Sequence, residues 1–262
     1  PFGKKFSKEE NFYNRNYQIK NKLNLVLKDI FFTYENSKKS KIIGPINIQL
    51  PNKYILNITG SSGSGKSTTI DILLGLLKPY KGKIYQKYSN SRNPNSLVKL
   101  SNKNLQIHWG KISYAGQKNF FPSISIYEYL YFDKGTKYNK DFFFEVLKIL
   151  DLENWFNSLN DGIHTQLLNG ASNLSGGQKQ RLALLKALIN KPNTLIIDEA
   201  TTGIPYDLEI KILEYIFKNK FIQKIIFITH SDKLRLETKN FSNLPFFEFN
   251  LDTNKFYLLD KF

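Results

Sequence analysis

The fold of this chain is most constrained by eight consecutive residues, Gly60-Ser61-Ser62-Gly63-Ser64-Gly65-Lys66-Ser67, with Thr68 next. A short β-branched run over 53–59 (KYILNIT) leads into Gly60. Apolar residues at Ile70, Leu73, Leu74 and Leu77 follow at helical spacing, which predicts a helix over 66–77. A strand that turns through glycines into a helix points several backbone N–H groups, and the positive end of the helix, at one place. Glycines keep Cβ atoms out of that place, so a phosphate can approach the backbone. Lys66 then reaches the β- and γ-phosphates of a bound nucleotide, and the Ser67 hydroxyl suits Mg²⁺. An ordinary Gly/Ser turn would need neither the lysine nor the flanking strand and helix.

Two later segments carry related chemistry. Leu195-Ile196-Ile197-Asp198-Glu199 is an apolar run ending in two carboxylates, and open α/β sheets present ligands at the C-terminal ends of such strands. Asp198 is suited to hold Mg²⁺ from the second shell or through water, and Glu199 to polarise an attacking water. Taken alone, an Asp at a strand end is as readily a helix cap. Leu174-Ser175-Gly176-Gly177-Gln178 opens a helix over 176–190, which Pro192 stops. Ser175 and the two glycines are either a second anion site at a helix start or a plain serine cap with a glycine turn.

Around these segments, strands are predicted over 23–34, 42–50, 53–59, 111–114, 194–197 and 224–229. They alternate with helices over 66–77, 141–152 (with Asp141 as its cap) and 176–190, and that alternation indicates an α/β domain. Residues 89–104 are polar and read as an exposed loop, and residues 1–22 as a Lys/Asn-rich arm. The stretch over about 119–172 interrupts the alternation and reads as a helical insert.

Together the three segments resemble the nucleotide-binding domain of ABC transporters over about residues 23–250, with L-S-G-G-Q at 174–178 as that family's signature. The resemblance implies a P-loop NTPase fold: a RecA-like α/β core, an antiparallel β subdomain, and a helical subdomain carrying the signature. It implies that 1–22 is an arm from a preceding membrane domain and 23–262 the nucleotide-binding domain. ATP and Mg²⁺ are the implied ligands, with residues 60–68 on the nucleotide and Ser67, Gln117 and Asp198 at the metal. Tyr34, in Ile30-Phe31-Phe32-Thr33-Tyr34, falls where the family stacks an aromatic ring on adenine; the alternative is a core tyrosine at a strand end. Gln117, in Ser113-Tyr114-Ala115-Gly116-Gln117, matches the family glutamine that touches Mg²⁺ and the membrane partner. His230, closing Ile225-Ile226-Phe227-Ile228-Thr229, matches the histidine that contacts the γ-phosphate. Lys66, Glu199 and His230 are thereby the expected catalytic residues. The family's head-to-tail pairing assigns Ser175, Gly176, Gly177 and Gln178 to the ATP of a second nucleotide-binding domain. The implied function is ATP hydrolysis that drives a substrate across a membrane. Transmembrane domains at the cytoplasmic face would be the partner and peptide a candidate cargo.

Departures from the family pattern also bear on function. After Asp198-Glu199-Ala200-Thr201 the family continues S-A-L-D, whereas this chain has Thr202-Gly203-Ile204-Pro205, which removes the usual acid from that loop. Exporters carry T-E-V-G-E-R-G before the signature; here Thr165-Gln166-Leu167-Leu168-Asn169-Gly170-Ala171 keeps the frame without either acid. The frame still resembles an exporter more than an importer.

Charge separates the remaining alternatives. The chain has 38 Lys+Arg against 22 Asp+Glu, a net +16, which invites a nucleic-acid reading. Residues 1–71 hold +7 of it and the acid-free stretch 72–127 holds +9, while 128–262 is neutral. A soluble ABC ATPase acting on nucleic acid or the ribosome would carry two cassettes or a long coiled-coil insertion, and neither is visible. The one-sided charge instead suits the anionic cytoplasmic face of a membrane, with no nucleic-acid partner. A separately encoded importer subunit is the other alternative. Zero Cys excludes thiolate metal sites and disulfides, and no run of about 18 apolar residues exists to span a bilayer. A start at Pro1 with no Met leads us to expect a segment of a longer chain.

Overall fold

The computed structural model describes residues 23–34, 42–87, 97–101, 109–116, 119–132, 138–229, 237–238 and 240–259. The arm 1–22, most of the polar stretch 89–104, and the predicted site residues Gln117 and His230 lie outside the described residues.

Two sheets organise the chain. Strands β1 (Leu23–Phe32), β2 (Ile43–Pro51), β4 (Lys81–Lys87) and β5 (Leu97–Lys99) form a four-stranded antiparallel sheet in the order β2-β1-β4-β5. Strands β3 (Tyr54–Thr59), β6 (Ile112–Gly116), β7 (Thr194–Asp198), β8 (Lys224–Ile228), β9 (Phe246–Asn250) and β10 (Lys255–Leu259) form a six-stranded sheet in the order β10-β9-β3-β8-β7-β6. That sheet is parallel except for the β9–β10 hairpin at its edge. The helices are α1 (Lys66–Leu74), α2 (Ile126–Leu130), α3 (Lys140–Ile149), α4 (Glu153–Asn157), α5 (Gly176–Ile189) and α6 (Tyr206–Lys218), with a 3₁₀ turn at Gly162–His164.

Unbroken apolar runs in β7 and β8 reflect a sheet covered on both faces. Leu195, Ile197, Ile225 and Phe227 point into one core with residues of α3, α5 and α6. Their neighbours Ile196, Ile226 and Ile228 point the opposite way, into a second core with α1 and the antiparallel sheet. The period-two alternation of a strand is thus divided between two cores, and the chain is the α/β, P-loop type expected from its signature.

Several element ends differ from the sequence expectation for local reasons. Helix α1 stops at Leu74 rather than at 77, because Gly75 takes a left-handed φ of 75° and Leu76 N–H closes back on Asp71 O at 2.8 Å. Trp109, fully buried, donates its indole N–H to Leu73 O at 2.9 Å and satisfies another carbonyl of that helix end. Helix α3 is capped by the Asn139 side chain, which accepts from Phe142 N–H at 2.9 Å, and Asp141 sits in the first turn instead. Within the predicted loop 89–104, residues 97–99 pair with β4 as an edge strand.

Strand β1 carries a bulge where Asp29 adopts a left-handed φ of 50° and its N–H is held by Asn47 Oδ1 at 2.9 Å. Gly82 of β4 lies against that bulge with φ 95°, and a Cβ built on it would meet Asp29 O at 2.3 Å. Gly82→Ala therefore forces a backbone shift as well as a strained dihedral. It is expected to lower unfolding stability by about 2–4 kcal/mol, read as a fall in the urea midpoint.

Among the described residues no helix is long and apolar enough to cross a membrane.

Candidate functional site

The C-terminal edge of the six-stranded sheet collects the predicted residues. β3 runs into 60–65 and then α1, while β7, one strand away across β8, ends at Asp198. Ser67 Oγ donates to Asp198 Oδ2 at 3.1 Å, so the loop and the second carboxylate segment meet directly. Tyr114, on β6, donates its hydroxyl to the same carboxylate oxygen at 2.9 Å. Burial, and then the charge of Asp198, push the Tyr114 hydroxyl well above its ordinary pKa, so it stays a donor. Asp71, one turn along α1 from Ser67, is likewise pushed up by burial and by the nearby Asp198.

Lys66 is 9% exposed, and its ammonium is held inside the loop by Gly60 O at 2.9 Å and Ser61 O at 3.1 Å. Ser64 Oγ, buried in the same loop, has no hydrogen-bond partner among the described residues. An orphaned hydroxyl beside a caged lysine is a polar cradle of the kind a phosphate group completes. Ser67 and Asp198 offer hard oxygen donors, and no group of three or more His, Cys, Asp or Glu among the described residues could enclose a metal. That donor set fits Mg²⁺, which keeps several waters and takes phosphate oxygens instead of an all-protein cage.

Glu199 follows β7 in a left-handed conformation, φ 54°, and its N–H donates to Ile228 O at 3.2 Å. A non-glycine residue held there by the end of a neighbouring strand marks a site where position outweighs local backbone preference. Strands β6 and β8 reach the same edge, with Gly116 and Ile228 both in register with Asp198. Gln117 is one residue beyond β6, and His230 two beyond β8; neither is among the described residues. Tyr34 sits at the lip of the loop, 55% exposed, its hydroxyl 3.2 Å from Thr68 Oγ1 and its ring edge-on to Phe32.

The signature segment is built separately. Ser175 caps α5, accepting from Gln178 N–H at 3.2 Å, and Gln178 Oε1 accepts from Ser175 N–H at 2.8 Å. Both readings of this serine are compatible with that cap, but the glycines after it are not explained by packing. Among the described residues, a Cβ on Gly176 would meet nothing within 4 Å, and one on Gly177 only the tip of Arg181 at 4.0 Å. A cleft of about 470 Å³ opens here, lined by residues including Phe121, Gly177, Gln180 and Gly203. Gln180 crosses it to donate to Thr202 O, which links α5 to the segment after Glu199. Arg181 anchors α5 to the end of α3, donating to Asp151 O at 2.8 Å and Asp151 Oδ2 at 2.9 Å. Pro205, in place of the usual acid, precedes α6, whose first turn carries Asp207 and Glu209.

A family model described as ABC transporter matches residues 43–202, from β2 through the loop after β7. The chain belongs to the ABC transporter family. Within it, the chain is 32% identical over 219 residues to the lactococcin-G-processing and transport ATP-binding protein of Lactococcus lactis, covering 82% of this chain and 30% of that protein. It is 33% identical over 213 residues to the microcin-J25 export ATP-binding/permease protein of Escherichia coli, covering 81% and 34%. The chain spans about a third of the length of the relatives it matches. A bacterial Atm1-family ABC exporter with ATP bound shares the fold, with a TM-score of 0.68 at 21% identity over 92% of this chain and 39% of that one. The family match and these relatives are those of an exporter-type ABC nucleotide-binding domain. Two residues of this ABC domain's site escaped sequence reasoning. Tyr114 carries no motif signal, and Asp252, which bonds to Ser61, is 191 residues from its partner.

Proposed function

We propose that this domain hydrolyses ATP as a head-to-tail dimer and thereby drives export, with peptides as the cargo class, through transmembrane domains at the cytoplasmic face of the membrane. The observation that carries the reading is the pairing of one completed and one open anion site. Loop 60–68 is joined to Asp198 within the chain, whereas a Cβ on Gly176 would meet none of the described residues within 4 Å. A second copy of residues 60–68, with its nucleotide, is what the open site accommodates.

In this reading Tyr34 stacks on adenine and residues 60–68 hold the phosphates. Ser175, Gly176, Gly177 and Gln178 cover the γ-phosphate from the partner subunit. Ser67, Asp198 and Gln117 would hold Mg²⁺, which when bound would offset charge on the β- and γ-phosphates. Glu199 accepts a hydrogen bond from the attacking water. The oxygen of that water adds to the γ-phosphorus as the bond to the ADP oxygen breaks, and the proton it loses passes to Glu199 and on to solvent, leaving ADP and inorganic phosphate. Lys66 and His230 stabilise charge on the transferring group, where positioning and electrostatics supply most of the catalysis. Phe120 and Phe132, 83% and 80% exposed, offer an apolar surface for the membrane domain. Lys81, Lys83 and Lys99 are exposed on the antiparallel sheet and suit an anionic lipid surface, each cation near such a surface contributing about 1 kcal/mol.

The composite site is tested by complementation. Lys66→Ala disables the loop of one copy and Gly177→Asp the signature of another. Mixed together, the two variants form heterodimers with one wholly intact site and should recover ATP turnover that neither has alone. Mixtures no more active than the separate variants, with both still folded, would sink the head-to-tail reading.

A further inference from the structure

The nucleotide loop is tied to a part of the chain that no motif touches, the turn between β9 and β10. Asp252 in that turn grips Ser61 with both carboxylate oxygens: Ser61 N–H donates to Oδ2 at 2.7 Å and Ser61 Oγ–H to Oδ1 at 2.9 Å. The turn is itself organised for this. Asn250 Oδ1 accepts from the backbone N–H groups of Asp252 and Thr253, both at 3.0 Å, which fixes the direction in which Asp252 leaves the strand. Leu251 N–H donates to Thr59 O at 3.0 Å, anchoring the turn to the last residue of β3. Glycine suits the start of the loop, since at φ 144° a Cβ on Gly60 would lie 2.7 Å from Ser64 Oγ and 3.2 Å from Leu251 Cβ.

Ser61 is also one of the two residues whose carbonyls cage the Lys66 ammonium. Asp252 therefore holds the N–H and hydroxyl of a residue whose C=O holds the lysine. The peptide units of 60–61 are pinned from one side by a carboxylate and from the other by an ammonium. Unpinned, an exposed loop of Ser and Gly would have to be ordered by the arriving nucleotide, and that ordering is subtracted from its affinity.

Resting on the nucleotide-site reading above, we propose that Asp252 is a positioning residue for ATP binding, presetting the first turn of the loop and through it Lys66. It touches no phosphate in this role; it acts by holding Ser61. Asparagine at this position keeps one oxygen to accept from Ser61 N–H and an amide to donate to Ser61 Oγ, so it preserves the grip without the charge. The role is thus separable from an electrostatic one, in which a carboxylate near the phosphates would repel them.

The test compares Asp252→Ala and Asp252→Asn in the 262-residue chain, titrated with ATP in the presence of Mg²⁺ and assayed for turnover. Asp252→Ala should raise the Kd and KM for ATP about tenfold, equivalent to about 1.4 kcal/mol, with kcat within about twofold of wild type. Asp252→Asn should restore both constants to within about twofold. Wild-type affinity in Asp252→Ala, with the wild type itself binding ATP, overturns this inference alone. Tighter binding in both variants also overturns it, in favour of repulsion. A wild-type chain that binds no ATP overturns the nucleotide-site reading together with it.

Discussion

Replacing Glu199 by Gln is expected to lower kcat for ATP hydrolysis by a factor of about 10²–10⁴, the range for losing a positioned general base. The substitution keeps size and one acceptor oxygen, so the strand end that carries it should be undisturbed. What changes is the charge that, in the proposed mechanism, orients and deprotonates water. Position matters as much as identity here, because residue 199 is held at φ 54° with its amide bonded to the end of β8. That strained geometry costs about 1–3 kcal/mol and is maintained by the sheet around it. ATP affinity should change little, since Lys66, Ser67 and the backbone of 60–68 are untouched. Binding without hydrolysis should then accumulate an ATP-bound dimer, seen as a doubled mass on sedimentation with MgATP and as its absence without nucleotide. Single-turnover hydrolysis at the wild-type rate would remove Glu199 from the chemistry.

How much of this was legible in the sequence depends on where the causes lie. Residues 60–68, 174–178 and 195–199 were readable because their chemistry is local: glycines next to a lysine, a serine before two glycines, carboxylates after four apolar residues. Strands β7 and β8 were readable because burial on both faces leaves an unbroken apolar run. Strand β4 (KGKIYQK) was not, since among its described side chains Ile84 is the one buried in the core, and Lys81 and Lys83 are exposed. Helix α6 carries its own amphipathic signal, with Ile212, Leu213, Ile216 and Phe217 as its buried face. The end of α1 was overextended because Leu77 keeps the helical period and still packs on the core from beyond Gly75. Side chains that meet across the sheet, Tyr114 with Asp198 and Asp252 with Ser61, are set by strand order, which no local pattern encodes. The open space at Gly176 is of the same kind: the glycines are visible in the sequence, but that a Cβ there would meet none of the described residues is visible only in the fold.

Lys66→Ala is the second substitution with a large expected effect, and it separates binding from folding. In the structure the ammonium is nearly buried and bonded to two carbonyls of its own loop. Truncation leaves those carbonyls at the loop surface, where water can replace the lysine, so the cost to the nucleotide-free fold should be small. Against ATP the loss is different in kind, because the ammonium is the cation the loop itself supplies, and no water replaces it against a phosphate. Removing one partner of a desolvated charge pair costs about 2–5 kcal/mol, so the Kd for ATP should rise at least about thirtyfold. The two effects are read in one experiment. At ATP about a hundredfold above its Kd, the wild type should gain about 2.7 kcal/mol, or roughly 5–10 °C in Tm for a chain of this size. Lys66→Ala should melt close to the nucleotide-free wild type and gain at most about a third as much on adding the same ATP. Lys66→Arg should not rescue it, because a planar guanidinium fork cannot take the place of a compact ammonium between the carbonyls of Gly60 and Ser61. A full thermal shift in Lys66→Ala would mean that the backbone amides and the helix end bind the phosphates unaided, and the lysine would then be needed for the fold of the loop alone.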